Sequence, residues 1–301
     1  MPVRLQCTLP LPMGFRVEDV LAFHRRDAQE VAEQVRAAGF AKGLMWFGAP
    51  ACLCLSFGDG QAEATLDIDG SAGTQDALAL EQLVRRMLGL TQAVDAFERT
   101  WCTHPQLGGL IARRPGLRVP LAATPFEAVT WAITGQQISV TAAVTIRRRL
   151  ILSAGLVHSG GLICYPDAAR VSSLSDAELR AAGFSHAKAK ALVAFSEAVL
   201  SGALPLDQWV ELMPPVEDIR AGLLAVPGIG PWTVSYALLR GFGWLDGSLH
   251  GDVAVRRGLE RVLGRQERIA AAEAERWLAG FSPWRALVAA HLWAQAGEER
   301  A

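Results

Sequence analysis

The spacing of apolar residues changes once along this chain, near residue 72. Before that point apolar and polar residues alternate, or apolar residues run in short blocks between turns; after it they recur at helical spacing. Residues 3–9 alternate and predict a strand, and 44–47, 52–57 and 62–68 predict three more. Between them, 17–27 predicts a helix with Val20, Leu21, Phe23 and His24 near one face. Segment 29–38 has the composition of a helix, and its state stays open at this point. The run Asp69-Gly70-Ser71-Ala72-Gly73 is a polar, turn-rich joint. From Asp76 onward helices are predicted over 76–88, 91–101, 104–113, 124–138, 140–153, 175–182, 185–200, 216–225, 231–240, 252–263, 270–279 and 283–296, with breaks at Gly and Pro. The expected architecture is a small mixed α/β domain over 1–72 followed by a helical body over 73–301.

Three local signals are stronger than the periodicity. Thr124-Pro125-Phe126-Glu127 is a helix start, with a capping Thr, Pro at the first helical position and Glu completing a capping box. Residues 223–234 read L-L-A-V-P-G-I-G-P-W-T-V, a helix end, a tight hairpin and a second helix start. The two glycines permit positive φ, Ile229 can plug the gap between the helices, and Pro231 suits a first turn. Free N–H groups at that start make a site for a phosphate oxygen. Past a Gly-rich loop, the lone acid Asp252 precedes the apolar-periodic run Val253, Val255, Leu259, Val262 and Leu263. As a helix N-cap it would be held in a fixed direction, and the same geometry suits a catalytic carboxylate.

At 301 residues and 51% hydrophobic content, the chain can bury a substantial core of two or three domains. No apolar run approaches the ~18 residues of a spanning helix. The start Met1-Pro2-Val3-Arg4 lacks a signal-peptide pattern, so export is not expected and a cytoplasmic location is. The five cysteines form no Cys-x-x-Cys pair, which argues against a disulfide framework or a zinc site; they are expected to be buried, small and apolar. Net charge is −1, which weighs mildly against nucleic-acid binding unless the contact is local. Arginines cluster at Arg113-Arg114-Arg118, Arg147–Arg149 and Arg256-Arg257, as solvated helix faces or as phosphate contacts.

The 223–234 string followed by Asp252 resembles the helix-hairpin-helix, Gly/Pro-rich loop and aspartate (HhH-GPD) superfamily of DNA glycosylases, with the helix-hairpin-helix over 223–240. Residues 125–140, P-F-E-A-V-T-W-A-I-T-G-Q-Q-I-S-V, and 181–192, A-A-G-F-S-H-A-K-A-K-A-L, also resemble family motifs. Ser282-Pro283-Trp284-Arg285-Ala286-Leu287 and Ala290-His291-Leu292-Trp293 resemble the DNA-3-methyladenine glycosylase II (AlkA-type) branch. The resemblance covers about 120–296, and the first seventy residues more loosely. It implies a mostly α fold with a small N-terminal α/β (TBP-like) domain, in which 29–38 holds a strand, and an all-helical body.

The resemblance also implies roles. Asp252 would be the catalytic carboxylate, and Trp232, Tyr236, Trp293 and Phe23 would line the base pocket. Gln137 would be the wedge that enters the duplex, with Gln136 nearby in the cleft. Val226, Pro227, Gly228, Ile229 and Gly230 would meet the DNA backbone, and the 226–230 carbonyls could hold a monovalent cation as an accessory. No cofactor and no catalytic metal are expected, and no cysteine follows Cys164 to hold an iron–sulfur loop. Strand-cutting relatives carry a lysine where Trp232 stands, so the expected reaction is hydrolysis alone. The expected partner is double-stranded DNA containing damaged bases, met by a monomer. The expected substrates are alkylated purines, whose cationic rings stack well on aromatics. Val253 departs from the Tyr that relatives can carry there and opens one pocket wall. Two alternatives stay open: a glycosylase for a different damaged base, and a helix-hairpin-helix DNA-binding protein without chemistry.

Overall fold

A computed structural model describes residues 3–297; the outermost residues of the two expected domains, 1–2 and 298–301, lie outside the described residues. The first half-domain runs β1 (Val3–Pro10), α1 (Val17–His24), β2 (Glu33–Arg36), β3 (Gly39–Trp46), β4 (Ala49–Gly58) and β5 (Gln61–Ile68). The strands form one antiparallel sheet in the order β1-β5-β4-β3-β2. The register pairs Leu5 with Leu66 and Leu53 with Leu66, so the alternating apolar residues share one face. Helix α2 (Asp76–Met87) covers that face, and its Leu80, Val84 and Met87 join a core with Leu21, Leu53 and Leu66.

Segment 29–38 contains the strand β2 rather than a helix. Its inward-facing positions are Glu33 and Val35, and the buried Glu33 breaks the apolar alternation. Other expected limits shift as well. The helix expected over 17–27 stops at His24, that over 104–113 begins at Gly108, and that over 124–138 stops at Gly135.

The body continues with α3 (Val94–Trp101), α4 (Gly108–Arg113), α5 (Pro125–Gly135), α6 (Val140–Ala154), α7 (Ala168–Ser172), α8 (Asp176–Ala182), α9 (His186–Leu200) and α10 (Leu206–Leu212). It closes with α11 (Val216–Leu224), α12 (Pro231–Phe242), α13 (Val253–Val262), α14 (Ala271–Ala279) and α15 (Arg285–Gly297). Helices α7 and α10 were not expected; at five and seven residues they are too short to show a period. As the sequence predicts, Thr124 caps α5 by accepting from the Glu127 N–H. The Glu127 side chain does not complete the box. It reaches the Ala123 N–H and a buried ion cluster instead.

Two helical cores meet at α5 and α12. Val129 and Ile133 of α5 and Val234 and Leu238 of α12 face one core. Ala132, Tyr236 and Leu239 of the same helices face the other, with Leu249, Val255 and Leu287. The two helices approach closely at Gly241, where a Cβ would lie 3.1 Å from the Ala128 Cβ. Residues on α12 therefore stand between two lobes, which is where a cleft can open.

Sheet and body are joined by charge. Lys42 Nζ on β3 donates to Glu33 Oε1 on β2 at 2.8 Å and to Glu127 Oε1 on α5 at 2.8 Å. Arg147 on α6 reaches Glu127 Oε1 at 2.9 Å and Glu33 Oε2 at 3.1 Å, and His24 Nδ1 lies 2.9 Å from Glu33 Oε1. All five side chains are buried. Burial raises the two carboxyl pKa values, but Arg147 and Lys42 more than offset it and hold both below the ordinary range. Arg147 is thus neither a solvated face nor a phosphate contact, in contrast to the sequence expectation. Arg118 is likewise structural, donating to the Gly89 and Gln92 carbonyls, and Arg148 pairs with Asp27. All five cysteines are free; Cys164 is buried as expected, whereas Cys102 is exposed.

Candidate active site

Asp252 is the N-cap of α13, with extended backbone (φ −74°, ψ 128°). Its Oδ1 accepts from the Ala254 N–H at 2.8 Å and the Val255 N–H at 3.2 Å. Two indoles complete its surroundings: Trp293 Nε1 donates to Oδ1 and Trp232 Nε1 to Oδ2, each at 3.2 Å. Four donors from α12, α13 and α15 fix the direction of this one carboxylate. Capping and catalysis are compatible here, because the capping bonds fall on Oδ1 and leave Oδ2 bonded to Trp232 alone.

The rings around Asp252 form a continuous wall. Trp232 and Tyr236 lie one turn apart on α12 with centroids 5.5 Å apart, and Tyr236 lies 6.4 Å from Trp293. Phe23 of α1 joins through a guanidinium rather than by ring contact. Arg240 lies 4.8 Å from the Phe23 centroid and 5.8 Å from that of Trp293. Arg26 sits between Phe23 and Trp131, at 4.1 and 4.6 Å. Phe23, Arg26, Trp131, Tyr236 and Arg240 line one cavity.

Arg240, Arg26 and Trp131 were not among the residues the sequence singled out. Arg240 could have been found, since it continues the face of Trp232 and Tyr236 at four-residue spacing. Its Nη1 donates to the Pro120 carbonyl at 2.7 Å, whereas its buried Nε has no hydrogen-bond partner among the described residues. Burial pulls its pKa down to about 10; the Tyr236 hydroxyl opposes this and Arg26 adds to it. It remains a cation near neutrality.

The hairpin between α11 and α12 has the geometry its sequence suggests. Gly228 has φ +89°, and a Cβ there would lie 2.7 Å from the Ala191 Cβ. Ile229 is buried in the first core, Gly230 is the N-cap of α12, and no side chain caps that helix start. Among the 226–230 carbonyls, that of Val226 accepts from the Ile229 N–H, that of Gly228 from Gln136, and that of Gly230 from the Val234 N–H. Each of these three carbonyls keeps a second lone pair.

The α5–α6 turn is tied to this hairpin. Gln136 Nε2 donates to the Gly228 carbonyl and to Thr233 Oγ1, both at 3.0 Å. Lys188, in the 181–192 motif, donates from Nζ to the Thr134 carbonyl at 2.8 Å. Gln137 then projects from the turn, exposed, with φ +57°, before Ser139 caps α6. The two glutamines thus sit differently: Gln136 braces the turn and Gln137 stands free at its tip. His250 is bound to Ser248 Oγ at 2.8 Å, and His186 is exposed near Asp176. No group of three or more His, Cys, Asp or Glu among the described residues could hold a metal ion.

Comparison with known proteins is consistent with this geometry. The AlkA N-terminal domain family matches residues 6–124. The chain is 32% identical over 234 residues, 77% of each sequence, to DNA-3-methyladenine glycosylase 2 of Escherichia coli (strain K12). A 3-methyladenine DNA glycosylase from Archaeoglobus fulgidus shares the fold, with a TM-score of 0.79 and 19% identity over 96% of this chain and 98% of that one. A Schizosaccharomyces pombe 3-methyladenine DNA glycosylase, solved with abasic DNA, shares it with a TM-score of 0.56 and 23% identity over 64% and 91%. The family of HhH-GPD superfamily base excision DNA repair proteins matches residues 130–283, which hold the α5–α6 turn, the hairpin and Asp252. On this match and the identity to the Escherichia coli protein, the chain belongs to the HhH-GPD superfamily, with an AlkA-type N-terminal domain.

Proposed function

We propose that the chain is a monofunctional DNA glycosylase that flips alkylated purines, including 3-methyladenine and 7-methylguanine, out of duplex DNA and hydrolyses their N-glycosidic bonds. The observation that carries this reading is the Asp252 carboxylate, held by the indole N–H groups of Trp232 and Trp293 at the edge of an aromatic wall. The wall suits a planar, cationic base, which gains roughly 0.5–2 kcal/mol from stacking on electron-rich rings. The positive charge on the base already weakens its bond to the sugar. Asp252 then faces the sugar as positive charge develops on it, and orients the attacking water.

Several features support the remaining assignments. The uncapped start of α12 and the Gly228 turn offer N–H groups to a DNA phosphate, with the 226–230 carbonyls available to a monovalent cation. Gln137 is the wedge that fills the gap left by the flipped base, at a cost of a few kcal/mol of unstacking. Exposed Val253 leaves the wall open beside Asp252, which widens the range of accepted bases. Position 232 is Trp, and of the three lysines in the chain Lys42 stands on β3 and Lys188 and Lys190 on α9. No amine is therefore placed on α12 for a Schiff base, which supports hydrolysis without strand cleavage. The protein acts as a monomer on duplex DNA in the cytoplasm. Among the described residues no helix is long and apolar enough to cross a membrane.

The test is product analysis on methylated duplex DNA. The expected products are free 3-methyladenine and 7-methylguanine, with abasic sites that stay uncut until alkali is added. Duplex binding without base release would instead support a binding module without chemistry. Release with strand cuts would refute the monofunctional assignment.

A further inference from the structure

Any cationic base that enters this site meets a pocket that already holds cations. Arg240 lies over two of its rings, Phe23 and Trp293, and Arg26 over Phe23 and Trp131. For tight binding of a methylated purine this placement is unfavourable, because like charges in a partly buried site repel. Arg240 also keeps a buried Nε–H donor that has no partner among the described residues, an unfavourable state for a buried polar group. The other charged groups lining the cavity, Glu127 and Arg147, are paired with each other, and Asp252, at the indole N–H edges of Trp232 and Trp293, supplies the opposite charge. The aromatic wall therefore carries a cation at Arg240 and an anion at Asp252.

We propose that Arg240 drives departure of the base, by raising the energy of positive charge on the base and stabilising negative charge there. This rests on the glycosylase reading above. The charge balance of the reaction gives the reason. When the C1′–N bond breaks, its electron pair leaves with the base and positive charge appears on the sugar. A base that entered as a cation leaves neutral, whereas one that entered neutral leaves as an anion and then takes a proton from solvent. Water adds to C1′ and releases its proton to solvent. In either case the base becomes more negative by one charge and the sugar more positive. A fixed cation beside the base and a fixed anion beside the sugar both favour that movement. Only interactions that strengthen on the way to the transition state raise the rate. The aromatic wall binds the cationic ground state; Arg240 opposes it and is relieved as the bond breaks.

The test compares Arg240→Gln and Arg240→Lys with wild type on duplex DNA containing 7-methylguanine. It measures the single-turnover rate of base release, and separately the affinity for the same duplex carrying a 2′-fluoro sugar that resists hydrolysis. For Arg240→Gln the release rate is expected to fall on the order of tenfold, below the 10²–10³ of a donor touching the reacting atoms. Affinity for the uncleaved duplex should hold or rise. Arg240→Lys, which keeps the charge, should retain most of the rate. A rate within about twofold of wild type in Arg240→Gln, or a parallel fall of rate and affinity, would overturn the proposal and leave Arg240 as packing. Equal losses in both variants would also overturn it, since the Pro120 contact rather than the charge would then matter. If wild type itself releases no 7-methylguanine, the alkylated-purine reading fails first and this inference fails with it.

Discussion

Replacing Lys42 by Met should destabilise the protein more than any exposed charge substitution, and the ion cluster sets the size of the effect. Lys42 and Arg147 balance Glu33 and Glu127, while burial pushes the His24 pKa down, so that near neutrality its ring adds no charge. Met fills nearly the same volume but leaves one net negative charge inside the fold. Breaking a buried pair in this way costs 3–5 kcal/mol as a rule, and the lower end, about 3 kcal/mol, applies here. The reason is that each carboxylate keeps a second partner: Glu33 retains His24 and Arg147, and Glu127 retains Arg147. Urea unfolding of wild type and Lys42→Met would measure the loss as a shift in midpoint at constant slope. Lys42→Met combined with Glu33→Gln restores charge balance and should recover at least about 1 kcal/mol relative to the single variant, a non-additivity expected of groups in one network. A single-variant loss below about 1 kcal/mol, or strict additivity, would refute the claim that balanced charge holds the sheet to the body. Because His24 adjoins Phe23 on α1, the same variant should also lower base release by loosening one wall of the pocket.

Three further outcomes follow. Burial pushes the His291 pKa from 6.5 to about 4 and also lowers that of His24, so the unfolded chain binds protons that the folded chain does not. Stability should be full above pH 6.5 and fall on acidification, His291 alone removing about 3 kcal/mol by pH 4. The depressed carboxyls of Glu33 and Glu127 should add a second loss below about pH 4.5, and a flat stability profile between pH 7 and 5 in denaturant melts would contradict this. Gly228→Ala places a Cβ against Ala191 at positive φ and should weaken duplex affinity at least about tenfold, or about 1.4 kcal/mol, in a binding titration; unchanged affinity would remove the hairpin from the interface. Trp232→Phe keeps a ring but removes the donor to Asp252 Oδ2, so base release should fall roughly three- to tenfold at steady duplex affinity, about the value of one hydrogen bond.

What could be read from the sequence was what local backbone chemistry encodes. The Pro-Gly-Ile-Gly-Pro hairpin, the Thr124 cap and the Asp252 helix start are each specified within a few residues, and each lies where its sequence indicates. Trp232 and Tyr236 share a face because four-residue spacing on a helix requires it, whereas Trp293 reaches them through the packing of α15. Long-range pairings were not legible. Glu33 hides the alternation of β2 because its partners stand on α1, β3 and α6. Arg147 sits in an arginine run typical of a solvated face, yet its helix buries it against acids from two other elements. Gln136 and Gln137 are adjacent and chemically identical in sequence; only the left-handed backbone at Gln137 sends one toward the hairpin and the other toward solvent. Arg240 does not stand out in the sequence because a basic residue near a helix end is ordinarily a surface group.

The most direct test of the account is base release by Asp252→Asn under single-turnover conditions, measured beside duplex affinity. Asn is also a preferred N-cap and keeps an oxygen for the Ala254 and Val255 N–H groups, so the fold of α13 should persist while the charge is lost. The account predicts a fall in release of at least about 10²-fold, the scale of removing one preorganised electrostatic stabiliser, with affinity within a few-fold of wild type. Release at the wild-type rate would contradict it and leave Asp252 as a helix cap alone.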